Sequence, residues 1–211
     1  HFLAPRHAEI RSPSKRGVEV ALTRRFLSDD VDYINCAKSF IVLDDFHDLL
    51  QNMIFGAESH GRLGGKSAGL FLATNILKKS EDPDGHLKHV RIPKTWYVTS
   101  DILLHFMHYN DLDDVVEQKY KEISQIRQEY PHIVQMFKRS SFPEDILKGL
   151  SVALDDFGER PLIVRSSSLL EDRWGAAFSG KYKSLFLANQ GSKEDRLAAL
   201  VDAIAEVYAS T

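Results

Sequence analysis

Apolar residues recur every three or four positions through most of this chain, and the interruptions are short. In DDFHDLLQNMIF, Phe46, Leu49, Leu50, Met53 and Ile54 follow the i, i+3, i+4, i+7, i+8 rule behind Asp44 as a cap, and residues 17–55 as a whole predict helix. KSAGLFLATNILKK predicts a second helical region, with Leu70, Leu77 and Ala73 or Thr74 on one side. Residues 80–95 are a polar turn with two prolines, and WYVTS reads as a short strand of β-formers. Ser100 or Asp101 then caps a helix through DILLHFMHYN, and another runs from Asp111 to about Tyr130. SFPEDILKGLSVALDDFG carries the clearest helical signal. Its stripe is Ile146, Leu150, Ala153, Leu154 and Phe157, Ser141 and Glu144 fit a capping box, and Gly158 is the stop. PLIVRSSS and KYKSLFLANQ predict two further strands. Ser192 with Asp195 opens a last helix with the stripe Leu197, Leu200, Val201, Ile204 and Tyr208. Residues 1–16 mix prolines, serines and basic residues without periodicity and read as an arm or linker. The pattern predicts a mixed helix-and-strand, α+β (α/β) chain.

Composition changes this picture little. The 211 residues are 43% hydrophobic and 27% charged, with a net charge of −3. That suits one good core or two small ones, and offers no basic excess to attract nucleic acid or an anionic membrane. The single cysteine, Cys36, cannot form an internal disulfide; its helical setting predicts a buried small residue rather than a nucleophile. No apolar run approaches the length of a membrane span and no signal peptide is visible, so the expected compartment is the cytoplasm. The chain starts at His1 and stops at AEVYAST, in or barely past an amphipathic helix, and so reads as a piece of a longer protein.

The candidate chemistry lies in two stretches. GRLGGKSAGL, residues 61–70, sets three glycines beside Lys66 and Ser67 and delivers backbone N–H groups to a helix start, where the helix dipole favours an anion. The end of this stretch fits the G-x-x-x-x-G-K-[ST] loop of nucleoside triphosphatases, but His60 stands where that pattern needs its first glycine, and no buried strand precedes it. In PLIVRSSSLLEDRWGAAFSGKYKSLF, a buried strand carries Arg165 to its carboxyl end, followed by three serines and a loop of small residues. A guanidinium there offers a planar fork to two phosphate oxygens. Singly, a solvated lysine and a salt-bridged arginine explain these residues as well. Together the two stretches suggest a polyphosphate held from two sides. The histidine pairs His86/His89 and His105/His108 lack a carboxylate in metal-binding spacing and read as surface or half-buried residues, so no metal ligand is assigned.

Three motifs resemble one family, the PEP/pyruvate-binding, nucleotide-binding domain of phosphoenolpyruvate synthases and pyruvate phosphate dikinases. LGGKSAGL resembles its V/L-G-G-K-G-A-x-L. RIPKTWYVTSDILLHFM resembles its V-P-x-G-F-V-I-T-T and following helix. IVRSSSLLEDRWGAAFSGKYKSLF resembles its V-R-S-S-x-x-x-E-D-x-x-x-A-S-F-A-G-Q-Y-x-S. The resemblance covers residues 60–211 and implies the first part of an ATP-grasp-type domain, preceded by an N-terminal arm and helical lead-in over residues 1–59. It implies that Lys66 and Arg165 contact nucleotide phosphates, and that Gly180 and Ser184 occupy the glycine and hydroxyl positions of the phosphate-covering loop. Ser67 replaces a family glycine and Lys181 a family glutamine.

The resemblance further implies ATP as ligand and Mg²⁺ as cofactor, with metal ligands outside this chain. Phosphate would pass through a histidine on a separate domain to pyruvate or a related acceptor. The implied partners are therefore the phosphohistidine and acceptor domains of the parent protein. Homo-oligomerisation is left open. No catalytic residue is assigned, and the piece alone is expected to be inactive. The alternative is a non-catalytic regulatory or interaction module with a vestigial nucleotide site.

Overall fold

The computed structural model describes residues 12–56, 59–168, 172–173, 176–177 and 182–211. Among these, helix dominates and the strands are few and short. Helices α1 (Ser12–Phe26), α2 (Val31–Phe40) and α3 (Leu43–Gln51) lead into β1 (Met53–Ile54). The glycine stretch opens α4 (Gly65–Lys79), and β2 (Tyr97–Val98) and α5 (Asp101–Tyr109) follow. Next come α6 (Ile123–Arg139), α7 (Glu144–Phe157) and β3 (Leu162–Arg165). The two-residue strands β4 (Asp172–Arg173) and β5 (Ala176–Ala177), then β6 (Ser184–Leu187) and α8 (Lys193–Ala209), complete the order.

Among the described residues, two apolar clusters form the interior. The first gathers Leu27, Ala37, Ile41, Phe46, Leu49 and Met53 from α1–β1 with Leu63, Ala68, Phe71 and Tyr97. The second gathers residues of α5 to α8, including Ile102, Phe106, Phe137, Ile146, Leu154 and Ile204, under Leu162, Val164 and Leu187 of β3 and β6. Strands β1 and β2 pair in parallel, Met53 with Tyr97 and Ile54 with Val98. Successive strand residues point to opposite faces. So Met53 and Tyr97 enter the first cluster while Ile54 and Val98 enter the second, and this short ladder joins the two.

β3 and β6 are antiparallel, pairing Leu162 with Leu187, Ile163 with Phe186, Val164 with Leu185 and Arg165 with Ser184. The alternation turns Leu162, Val164, Leu185 and Leu187 inward and leaves Ile163, Arg165, Ser184 and Phe186 exposed. α8 lies along α6, where Glu206 accepts from Lys138 (3.2 Å) and Lys183 (2.8 Å). Gly158 ends α7 at φ 64°, a conformation that L side chains rarely adopt, as its position in the sequence predicts. Ser192 caps α8 by accepting from the Asp195 N–H at 3.1 Å, also as predicted.

Several expected details differ. Residues 12–16, expected in the arm, already belong to α1. Met53 and Ile54 continue the helical rhythm of α3 but form β1, because the parallel partner Tyr97–Val98 satisfies their backbone. α3 is capped not by Asp44 but by Asp45, whose carboxylate accepts from the Val42 N–H at 2.8 Å. The buried face of α4 is Ala68, Phe71 and Asn75 rather than the side with Leu70 and Ala73; an asparagine in the core hides that face from an apolar count. The helix expected over Asp111 to about Tyr130 is a 3₁₀ stretch at Asp113–Tyr120 followed by α6, which runs through Pro131 at the cost of one backbone bond. α7 starts after Pro143 with no side-chain cap; Ser141 instead donates its N–H to Asn110 (2.9 Å). Cys36 is exposed, because α2 turns Ala37 inward instead.

Candidate functional site

Lys66 stands in the first turn of α4, half-buried, and Arg165 ends β3, exposed. The two motifs meet directly. The Ser67 N–H donates to the Ser167 Oγ at 2.9 Å, a contact across 100 residues of sequence. The Gly65 N–H donates to the Ser168 carbonyl at 3.4 Å. Gly64 packs so tightly on Ser167 that a Cβ there would stand 1.2 Å from the Ser167 carbonyl oxygen. Along the chain, Lys66 is one residue from one end of the Ser67–Ser167 bond and Arg165 two residues from the other. Ser184 lies directly opposite Arg165 in the β3–β6 ladder, both on the exposed face. Gly180 lies outside the described residues, as does Lys181. β4 and β5 pair antiparallel, Asp172 with Ala177 and Arg173 with Ala176, and β4 lies beside α4.

This arrangement corrects one expectation. The α4 start is not an open row of amides, since Ser167 and Ser168 already accept from two of its first-turn N–H groups. The middle serine of the cluster serves here as a helix cap supplied from a distant strand end.

The glycine stretch is gripped from both sides. Arg25 at the end of α1 donates from Nη1 to the carbonyls of His60 (3.0 Å) and Gly61 (2.8 Å), and from Nη2 to that of Ser59 (3.0 Å). The Leu63 N–H donates to the Phe26 carbonyl at 2.8 Å, and Arg62 pairs with Asp29. Further along, the Tyr33 hydroxyl donates to the Ala68 carbonyl at 2.8 Å, and burial pushes that phenol far up, keeping it a donor. On the opposite side Asp101 accepts from the Ser59 hydroxyl and the His60 N–H, each at 3.0 Å. Ser100 exchanges two bonds with Arg62: its N–H donates to the Arg62 carbonyl (3.0 Å) and its Oγ accepts from the Arg62 N–H (3.3 Å). Neither Arg25 nor Asp101 shows in the sequence as a site residue, because no motif spans the distances involved.

Burial raises the Asp101 carboxyl, but hydrogen bonds from Thr99, Ser59 and the Gly61 amide outweigh it and hold the group below its usual 3.8. A carboxylate depressed on folding stabilises the fold above its unfolded value, and that contribution is lost as pH falls through the folded value. Acid titration followed by circular dichroism is expected to show a steeper loss of stability below about pH 4 in the wild type than in Asp101→Asn. Identical acid limbs would remove Asp101 as an anchor of the loop.

Beside the loop, a groove of about 150 Å³ is lined by Arg25, Phe26, Leu50, Met53, Phe55, Ser59 and Gly61. Its walls are too apolar for a triphosphate. No group of three or more histidine, cysteine, aspartate or glutamate side chains among the described residues is placed to hold a metal ion. No helix among them is long and apolar enough to cross a membrane.

No curated protein and no solved structure matches the chain. Residues 60–211, which contain both motifs and the bond that joins them, match the family model described as the AMP/ATP-binding domain of pyruvate phosphate dikinase. With most of its length matched, the chain belongs to the pyruvate phosphate dikinase AMP/ATP-binding domain family.

Proposed function

We propose that this chain is the ATP-binding portion of a phosphotransferase of the phosphoenolpyruvate synthase and pyruvate phosphate dikinase kind. In this reading residues 60–211 form the first part of an ATP-grasp-type unit and residues 1–59 its helical lead-in. The observation that supports it is the Ser67–Ser167 bond, which joins the stretch that carries Lys66 to the stretch that carries Arg165.

Phosphoryl transfer asks a protein mainly to position phosphates and neutralise charge. Lys66 would set its ammonium on phosphate oxygens as a point charge. Arg165 would present its fork to two of them, with the Ser184 hydroxyl donating from the facing strand and Gly180 letting the covering loop approach. The phosphoryl group would then pass to a histidine of a separate domain and on to pyruvate or a related acceptor, so that turnover requires those partners. Mg²⁺ would shield the phosphates. The described residues do not form a site for it, and no step on this chain is assigned to it.

Calorimetric titration with ATP tests the reading. Binding is expected at roughly millimolar strength, about −4 kcal/mol. Lys66→Ala and Arg165→Ala are each expected to weaken it by about 10- to 100-fold, the loss of a charge-assisted bond of roughly 1.5–3 kcal/mol. Equal affinity in wild type and both variants would mean that ATP sits elsewhere. The capped start of α4 favours a second reading, a non-catalytic interaction module whose nucleotide site is vestigial. No binding at several millimolar would favour that one.

A further inference from the structure

Arg25 lies outside the family match, in a helix for which the sequence offers no role. Its guanidinium nevertheless holds three consecutive carbonyls, those of Ser59, His60 and Gly61, at 2.8–3.0 Å. Three convergent acceptors on one planar group fix both the position and the tilt of the peptide planes they belong to. Asp101 holds the N–H side of the same turn, accepting from Ser59 Oγ and the His60 N–H. The turn is therefore clamped between a cation on its carbonyls and an anion on its amides. Four residues after Gly61 the chain enters α4, so the orientation of this turn sets where Gly64, Lys66 and the α4 axis come to lie against Ser167.

We propose that Arg25 is a positioning residue for the phosphate-binding glycine stretch, so that the nucleotide site depends on a helix outside the segment that matches the family. This rests on the ATP-binding reading of Lys66 and Arg165. Arg25 acts through the turn: its donors point at the three carbonyls, and the face of its guanidinium lies 5.0 Å from the centre of the Phe26 ring. Lysine at this position keeps the charge but supplies no fork, and can satisfy one carbonyl well rather than three.

The test is ATP affinity by calorimetry, thermal stability and amide hydrogen exchange on the whole chain, for the wild type, Arg25→Ala and Arg25→Lys. Arg25→Ala is expected to weaken ATP about tenfold, since small misplacements of a phosphate-binding group are felt strongly. It is also expected to speed exchange at the Gly61 to Ser67 amides in the ligand-free protein, while amides of α7 and α8 keep their protection. Arg25→Lys should fall between the two. A purely structural arginine would lower the melting temperature and leave the ATP affinity of the folded protein unchanged, and that result overturns the proposal. If Arg25→Ala does not fold, Arg25→Lys alone decides, because unaltered affinity and exchange in it would equally sink the idea. Failure of the wild type to bind ATP overturns the ATP reading and this inference with it. Equal binding by wild type and Arg25→Ala overturns this inference alone.

Discussion

Gly64→Ala is expected to be among the most damaging single changes in this protein, although it adds one methyl group to a backbone that any residue can adopt. Gly64 has φ −74° and ψ 173°, so glycine is not needed there for conformation. It is needed for space. The new Cβ would fall 1.2 Å from the Ser167 carbonyl oxygen, 2.3 Å from the Ser167 carbonyl carbon and 2.8 Å from its Oγ. Two of those three atoms are backbone, so no rotamer change relieves the clash. Either the α4 start or the 166–168 segment must move by ångströms. Overpacking typically costs about 1–3 kcal/mol, and a clash against backbone belongs at or above the upper end. The Ser67–Ser167 bond would go with the displacement, and with it the junction between the two motifs. Chemical denaturation should show the lost stability, and calorimetry the loss of ATP binding. A variant with wild-type stability and affinity would mean that the two segments do not touch in solution.

Phe106→Ala should cost about 3–5 kcal/mol, the range for deleting a fully buried phenyl ring. Phe106 is 0% exposed. Its ring centre lies 4.5 Å from that of Phe142, 5.7 Å from that of Phe137 and 5.9 Å from that of Tyr208. These neighbours come from α6, the segment before α7, and α8, three walls that cannot all close on one void. Against a total stability of about 5–15 kcal/mol, such a loss threatens folding itself. Phe106 sits in α5, the helix that begins with Asp101, so the same core anchors the carboxylate that grips the glycine turn. Equilibrium urea unfolding measures the difference, and a loss under about 1 kcal/mol would show that the aromatic cluster repacks or is not formed.

Much of this architecture was legible because its causes are local. The α8 start at Ser192, the stop at Gly158 and the stripe of α7 are decided within a few residues, where capping and periodicity act. The two chemical motifs were legible because glycine, lysine and arginine are conspicuous in those settings. What escaped has distant causes. Met53 and Ile54 are strand only because Tyr97 and Val98 lie beside them. The α4 cap is a serine 100 residues away, and no local pattern announces it. Asn75 occupies a core face that hydrophobicity alone would never assign, bonding its own helix through the Phe71 carbonyl at 2.9 Å. Arg25 and Asp101 hold the glycine stretch through its backbone groups, which carry no sequence signature.

The contact between Ser67 and Ser167 also has a kinetic meaning. Closing a loop of 100 residues carries an entropic cost of about 4 kcal/mol before any contact offsets it. The helices α1 to α4 and the α7–β3 segment can each collapse on nearby partners first, so this junction belongs among the last parts of the molecule to assemble. It belongs, by the same token, among the first to open. The Ser67 amide would then exchange with solvent through a local opening that leaves both apolar clusters intact. A ligand bridging Lys66 and Arg165 would act on that opening as a clasp, slowing exchange at Ser67 far more than in the cores.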